Sequence, residues 1–423
     1  MPKPKPSRAW RRFRSSRSAL FALGVVVIWI LMALIGPYLA NPLPYRCEYR
    51  GQTVYPIFQP ERLDSLIDPY RIRTFEEMRW DTMAVQNVLW ALIPYGSREY
   101  PSHKSLSPFA SPQITIKGVL LEGRFRHHLG TNREGRDILA ILILGSRDAL
   151  LFALIAVGLI ALIGLLIGSI SGYLGDQSWA QSRGVVLGFW SSLIPAWFYG
   201  FYVRRYEITL AEGPAVIGQF LISALIFVLV IVLFVQFGRW LSRWAWWRKP
   251  LWIPLDLLFL KLIELRESLP VIMLVIALGS IFGRNVWFFI ICVGLIGWTG
   301  IARLVRAEML RIRQTDYIQA AQSLGLSPWQ IIRRHALPNA LPPVLVVLIL
   351  SLGNAVLLEA SLSFLDLTSE NTSWGSLLSN AREEGFQNWW VILLPGMLIF
   401  LVVLSINLLG ERLRDVWDPR TEE

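Results

Sequence analysis

Residues 306–341 read RAEMLRIRQTDYIQAAQSLGLSPWQIIRRHALPNAL. The run is too charged to cross a bilayer and too regular to be a slack loop. A helix from about Thr315 to Leu324 puts Tyr317, Ala321 and Leu324 on one face, at i, i+4 and i+7. Gly325 then supplies the left-handed residue that commonly ends a helix, followed by apolar Leu326. Ser327 opens a second helix, with Pro328 at its first position and Gln330 where a capping box wants Glu or Gln. Pro338 is expected to end that helix, since the residue before a proline is pushed out of the helical region. Two short helices therefore meet at a glycine-set corner, and Ala320 and Ala321 leave room for another protein's surface. On spacing alone the stretch is as readily a plain connection, because capping patterns are common.

On both sides of this corner the chain turns apolar, at 286–305 and 342–365. Comparable runs lie at about 19–40, 148–174, 184–203, 215–237, 257–282 and 389–410. Each is long enough to cross a bilayer, which takes about 20 residues. Composition agrees: 54% of the 423 residues are hydrophobic, 17% are charged, and mean hydropathy is +0.47. A soluble domain carries roughly 25% charged residues. The expected fold is an all-α polytopic membrane protein, and soluble-enzyme classes are excluded. Each span is helical, because lipid offers no partner to a free backbone amide.

Charge sets the expected topology. Residues 1–18 carry seven Lys and Arg and no acid, ahead of a first anchor at 19–40 that lacks a signal-peptide cleavage pattern. Eight alternating spans place 175–183, 238–256, 306–341 and 411–423 inside, with both termini cytoplasmic and 41–147 outside. Most loop cations fall on the inner side: Arg239, Arg243, Arg248 and Lys249 in one loop, Arg306, Arg311, Arg313, Arg333 and Arg334 in the next. The outer loops hold Arg284, Arg382 beside Glu383 and Glu384, and Arg204 and Arg205 offset by Glu207 and Glu212. The net charge of +11 is read this way, rather than as a nucleic-acid surface. The spans 184–203 and 215–237 are the weakest, and parity requires both or neither. Trp240, Trp244, Trp246, Trp247 and Trp252 beside them resemble a headgroup-level aromatic belt. Cys47 and Cys292 make no disulfide framework.

The order Gln319-Ala320-Ala321, Gly325, His335, Leu337, Pro338 resembles the EAA loop of ABC-importer permeases, E-A-A-x-x-x-G-x(9)-I-x-L-P. Gln stands for the Glu and His for the Ile. Arg334-His335-Ala336-Leu337-Pro338-Asn339 is similar to the peptide and nickel branch. His128-Leu129-Gly130-Thr131-Asn132 with Gly135-Arg136-Asp137 resembles that branch's H-x-L-G-T-D-x-x-G-R-D signature. Leu358-Glu359-Ala360-Ser361-Leu362-Ser363-Phe364-Leu365, Ser373-Trp374-Gly375 and Asn407-Leu408-Leu409-Gly410 match in the same order. The resemblance covers 1–40, about 125–183 and 257–423, and points to the second permease type of the oligopeptide/dipeptide family. The 41–124 region is more like the branch handling microcin-type peptides, while 184–256 has no counterpart.

The resemblance implies a type I ABC-importer core of six helices, here with two extra spans and an external segment. The expected parts are a tail at 1–18, an anchor at 19–40, an external segment at 41–147, and a core span with its turn at 148–183. An insertion at 184–256, the remaining core at 257–410 and a tail at 411–423 follow. It also implies a multi-pass protein of the bacterial inner membrane, paired with a second homologous permease, two cytoplasmic ATPases and an external solute-binding protein. The chain itself shows no G-x-x-x-x-G-K-[ST] phosphate loop, H-E-x-x-H or G-x-S-x-G, so no catalytic residues, cofactor or nucleic-acid partner are expected. The coupling loop implied by the resemblance comprises Asp316, Tyr317, Gln319, Ala320, Ala321, Gly325, Ser327, Pro328, Arg334, His335, Leu337 and Pro338.

Glu359 lies inside a span, where a carboxylate is a functional candidate by default. Its other reading, favoured here, is a hydrogen-bonded packing feature of a polar interior. His335 has no second His or Cys nearby and reads as a docking-face or solvated residue rather than a metal ligand. Adjacent His127 and His128 chelate one ion poorly. Three rival functions stay open: transport of nickel or another small solute, a membrane-anchored scaffold with an external binding domain, and a proton-coupled carrier.

Overall fold

The computed structural model describes residues 16–49, 51–58, 86–96, 115–116, 119–120, 127–132, 134–175, 180–211, 215–252, 255–282, 284–368, 372–384 and 388–417. Two compact units divide it: 1–154 with 352–412, and 155–351 with 413–423. Seven helices among the described residues are individually long and apolar enough to cross a membrane.

In the first unit, helix α1 (Arg17–Leu39) starts at Ser16, whose side chain accepts from the Ala19 amide. The chain then forms a small antiparallel sheet of β1 (Arg46–Tyr49), β2 (Gln52–Val54) and β3 (Gln86–Leu89), in the order β2-β1-β3. This part of the 41–147 segment is therefore not helical. Ala40 bridges Ile93, and with Tyr95, Ala140 and Ile143 they form a local core. Helix α2 (Ile138–Leu174) opens ten residues before the apolar run at 148, because the cap lies at Asp137, whose Oδ1 accepts from the Ala140 amide at 2.7 Å.

The second unit holds the rest of α2 and α3 (Arg183–Leu210), whose middle turn at Phe198–Tyr202 is a π turn. Helices α4 (Ala215–Leu241), α5 (Leu255–Glu267), α6 (Val271–Phe282), α7 (Val286–Arg313) and α8 (Asp316–Ser323) follow. Helix α9 (Pro328–Phe364) passes from this unit into the first, where α10 (Trp374–Glu384) and α11 (Trp389–Trp417) complete the chain.

The inserted region holds two helices of spanning length, α3 and α4, which form a helical hairpin. Gly184, Gly188, Ser192, Ala196 and Gly200 of α3 recur every fourth residue. All five are buried, and the three glycines meet α4 at Gly238, Phe234, Ser223 and Phe227. Small residues at that spacing let two helix backbones approach within lipid.

The expected single span at 257–282 is instead two helices. Pro270 has no amide hydrogen and keeps Leu269 out of the helical region, so α5 stops and α6 restarts one residue past the proline. Twelve residues of α6 reach about 18 Å, short of a ~30 Å hydrocarbon core. Only the pair together has spanning length.

Glycines also set how α2 meets α7. A Cβ at Gly164 would lie 2.7 Å from Ile301 Cγ2, at Gly168 2.5 Å from the Ala302 carbonyl oxygen, and at Gly172 2.6 Å from that of Arg306. The stripe Gly164, Gly168, Gly172 thus allows backbone-to-backbone packing, and it runs directly toward the corner at 314–328.

Candidate functional site

The corner is built where α7 leaves the apolar region. At its end Glu308 accepts both Nε and Nη2 of Arg311. Thr315 is extended (φ −81°, ψ 147°), and its carbonyl accepts from Ile318 and Gln319. Asp316 in the first turn of α8 suits the positive helix end.

Gly325 has φ +77°. Around it the Leu326 amide donates to Ala321 O (3.3 Å) and the Gly325 amide to Gln322 O (3.0 Å). These are the two bonds of a Schellman stop, with Leu326 packed on the same core as Ala321. Two residues on, Ser327 Oγ accepts from the Gln330 amide (3.4 Å) and Gln330 Oε1 from the Ser327 amide (2.9 Å). That is a complete capping box with Pro328 at the first position, as the spacing predicts.

Three expectations are corrected here. First, Pro338 does not end the second helix. Ile332–Ala336 form a π turn in which the Leu337 amide reaches back five residues to Ile332 O, and α9 continues to Phe364. The wider turn gives the proline ring room and absorbs its missing amide. The Asn339 side chain donates to His335 O at 2.7 Å, satisfying one loosened carbonyl. The corner's second arm is therefore the end of a 37-residue rod, not a separate short helix.

Second, the inward face of α8 is Ile318 and Ala321, both buried, whereas Tyr317 is 44% exposed and Leu324 82% exposed. Leu324 is the C-cap, one residue beyond the helix, so the i+7 position no longer follows the helical face. Ile318 and Ala321 join Met309, Ile312 and Ile331 in one core, and Gln322 Nε2 donates to the Tyr173 hydroxyl of α2. Third, only Ala320 of the alanine pair faces outward. Tyr317, Ala320, Leu324 and Trp329 (58% exposed) are exposed apolar side chains around Gly325, interleaved with exposed Gln319, Gln322, Ser323 and Gln330. Ser327, Pro328, Arg334 and Pro338 are also exposed, while His335 and Leu337 are half-buried. Leu324 and Trp329 carry no motif signal, and solvent-facing apolar residues at a corner are recognisable only once the face is known. Exposed Gln319 borders an open depression of about 750 Å³ that Arg313, Gln314 and Gln322 also line.

Beneath the corner, Asp256 at the start of α5 accepts both Nε and Nη2 of Arg306 on α7 and the Ser171 hydroxyl of α2 (2.9 Å). The Arg306 guanidinium holds the Asp256 carboxyl below its ordinary value. A lowered folded-state value means this stabilisation is full above the ordinary carboxylate range and is lost as pH falls through the folded value. We expect Asp256→Asn to lower stability by about 1–3 kcal/mol near neutral pH. Thermal unfolding in detergent should show that difference shrinking toward zero in acid; a pH-independent gap contradicts the assignment.

Two further expectations concern the first unit. Glu359 is buried and accepts the Ser363 hydroxyl at 2.9 Å, which in turn pairs with Thr368. This geometry fits a packing role, and Glu359→Gln is expected to keep uptake within about twofold, since a neutral amide still accepts that bond. A loss beyond tenfold in an uptake assay would assign its charge a function. The signature before α2 rests on His127, not His128. His127 Nδ1 lies 2.8 Å from Asp137 Oδ2 with both buried and its ring stacked on Tyr95, while His128 is exposed. In H-x-L-G-T the histidine precedes Leu129 by two, which is His127.

Residues 253–423 match the model of the binding-protein-dependent transport system inner membrane component. Residues 7–60 match the N-terminal transmembrane domain of oligopeptide transport permease C. Neither match extends over the α3–α4 hairpin. A Brucella suis protein named as a permease of a peptide transport system is 39% identical over 178 residues, 42% of this chain and 58% of that relative. The chain thus spans little more than half the length of that relative. A second Brucella suis protein, named as a peptide permease, is 28% identical over 74% of this chain and 80% of its own length. An Escherichia coli protein, named as a permease of a D,D-dipeptide transport system, is 25% identical over 73% and 78%. The two matches place residues 253–423 in the family of inner-membrane components of binding-protein-dependent transport systems and residues 7–60 with the N-terminal transmembrane domain of oligopeptide transport permease C, so the chain is similar to the oligopeptide/dipeptide ABC permeases.

Proposed function

We propose that the chain is a permease subunit of an ATP-driven importer for peptides, forming half of a transmembrane path with a second, homologous permease. Two separate cytoplasmic ATPases drive it and an external binding protein delivers the solute. The basic loops at 238–256 and 306–341 lie in the cytoplasm with both termini, and 41–147 lies outside. The exposed outer face of the corner docks in a cleft of one ATPase. Its closure then displaces α9, which is continuous from the corner into the span, and α7, which shares its core. Coupling needs an element with two arrangements that both sites bias. A rigid rod with a fixed corner transmits such a change without dissipating it in a loop.

The observation that carries this reading is the Schellman corner at Gly325 fused to the 37-residue rod of α9. Its test is reconstitution of the chain with its second permease, its ATPases and a peptide-loaded binding protein in proteoliposomes. Peptide uptake that requires ATP, with ATP hydrolysis stimulated by the loaded binding protein, is expected. Uptake that persists without ATP, or stimulation by nickel and not by peptides, overturns it.

A further inference from the structure

The inserted hairpin carries chemistry that transport does not use. Residues 239–252 read RWLSRWAWWRKPLW, with five tryptophans, four cations and no acid. The segment is built rather than slack. Ser242 Oγ pairs with Ser182 Oγ at 2.7 Å, the Arg183 amide donates to Lys249 O, and Pro250–Trp252 pair antiparallel with Ala180–Ser182. The end of α4 and the single turn at Ala245–Arg248 that follows hold rings edge to face: Trp240 on Trp244 at 5.6 Å and Trp246 on Trp247 at 4.9 Å. The Arg183 guanidinium lies over Trp246, 5.5 Å from its centroid, and the Arg248 guanidinium donates to Arg243 O.

The two ends of the hairpin differ in how many cations they expose. Near the α3–α4 connection, Arg204 is tied down by Glu207, Gln219 and Ser223, and exposed Arg205 lies over the rings of Tyr202 and Tyr206. At the tryptophan-rich end, Arg239, Arg243, Arg248 and Lys249 are exposed, and no carboxylate among the described residues pairs with them. Trp244 and Trp246 are more than half exposed beside these cations. The outer faces of α4 continue from them as exposed Leu229, Leu233 and Phe237. Cations aligned with indoles at the end of a lipid-length apolar face match an anionic headgroup above acyl chains. A free phosphate would engage the cations and leave the indoles and the apolar face unused.

We propose that the 239–252 segment, with Arg183, is a binding site for anionic phospholipid that fixes the inserted hairpin to one leaflet. The proposal is independent of the transport reading and requires only that the hairpin cross the bilayer. The full-length chain is placed in nanodiscs of phosphatidylcholine containing a minor fraction of brominated phosphatidylglycerol or brominated phosphatidylcholine. Tryptophan quenching is compared with that of the variant Arg239→Gln, Arg243→Gln, Arg248→Gln, Lys249→Gln. Stronger quenching by the anionic lipid is expected, corresponding to local enrichment of about fivefold or more, the effect of one or more surface cations. The variant should lose that preference while keeping its quenching by phosphatidylcholine, which reports intact insertion. If the variant does not insert, Arg243→Gln and Arg248→Gln are tested singly, and each should reduce the preference. Equal quenching by both lipids in the wild type, or a preference that survives charge removal, overturns the proposal. So does its abolition by inorganic phosphate at constant ionic strength, which would make this a phosphate site.

Discussion

Gly325→Val abolishes solute uptake while the chain remains inserted at normal abundance. Gly325 sits at φ +77° with nothing within 4 Å of where a Cβ would be, so the penalty is conformational and not steric crowding by neighbours. A left-handed backbone costs an ordinary residue about 1–2 kcal/mol, and a β-branched one fits there least well. The chain can relieve this by abandoning the two Schellman bonds, which swings Leu324 and Trp329 away from Tyr317 and dissolves the outer face. Stability changes little, because the core beneath the corner depends on Ile318, Ala321 and Ile331, not on Gly325. Gly325→Asn is the informative partner, since asparagine tolerates this region and should retain most uptake. Radiolabelled uptake with immunoblotting of the membrane fraction checks both. Normal uptake by the valine variant would remove the corner from the mechanism.

The second large effect falls on stability. Gly168→Val places a branched side chain where even a Cβ would lie 2.5 Å from Ala302 O and 2.7 Å from Val305 Cβ. A backbone carbonyl within a helix has no rotamer to escape into, so α2 and α7 must separate. Overpacking costs roughly 1–3 kcal/mol, and the upper end is expected here because backbone is the obstacle. Separation also pulls Tyr173 from Gln322 and lifts α2 off the core that holds α8. Thermal unfolding followed by size-exclusion chromatography should show a large loss of folded protein. Gly158→Ala on the same helix, with nothing within 4 Å, should change stability by less than about 1 kcal/mol. Equal behaviour of the two variants would mean that the glycine stripe does not set the α2–α7 approach.

Much of this was legible where the physics is local. Apolar length marks the spans, and Gly325, Ser327, Pro328 and Gln330 encode a stop and a start whose hydrogen bonds close within six residues of one another. What was not legible depends on partners distant in sequence. The inward face of α8 is chosen by Met309 and Tyr173, which no periodicity within 315–324 reveals, so Ala321 parts from Tyr317 and Leu324, with which the i, i+4, i+7 spacing groups it. Pro338 reads as a stop by the local rule, yet a π turn carries the helix past it. The glycines at 164, 168 and 172 announce a close neighbour without naming α7. His127 differs from His128 by one position, and only burial against Asp137 separates them.

The central claim is that the corner faces the cytoplasm and is held by an ATPase. Ala320, small and outward-facing, is the position to probe, in a background with Cys47 and Cys292 replaced by serine. With Ala320→Cys, a membrane-impermeant thiol reagent should react in inside-out vesicles and not in intact cells. A short bifunctional cross-linker there should capture a P-loop ATPase, with a yield that changes when ATP is bound. Labelling of this cysteine from outside the cell, or cross-linking that never captures such a partner, would contradict it.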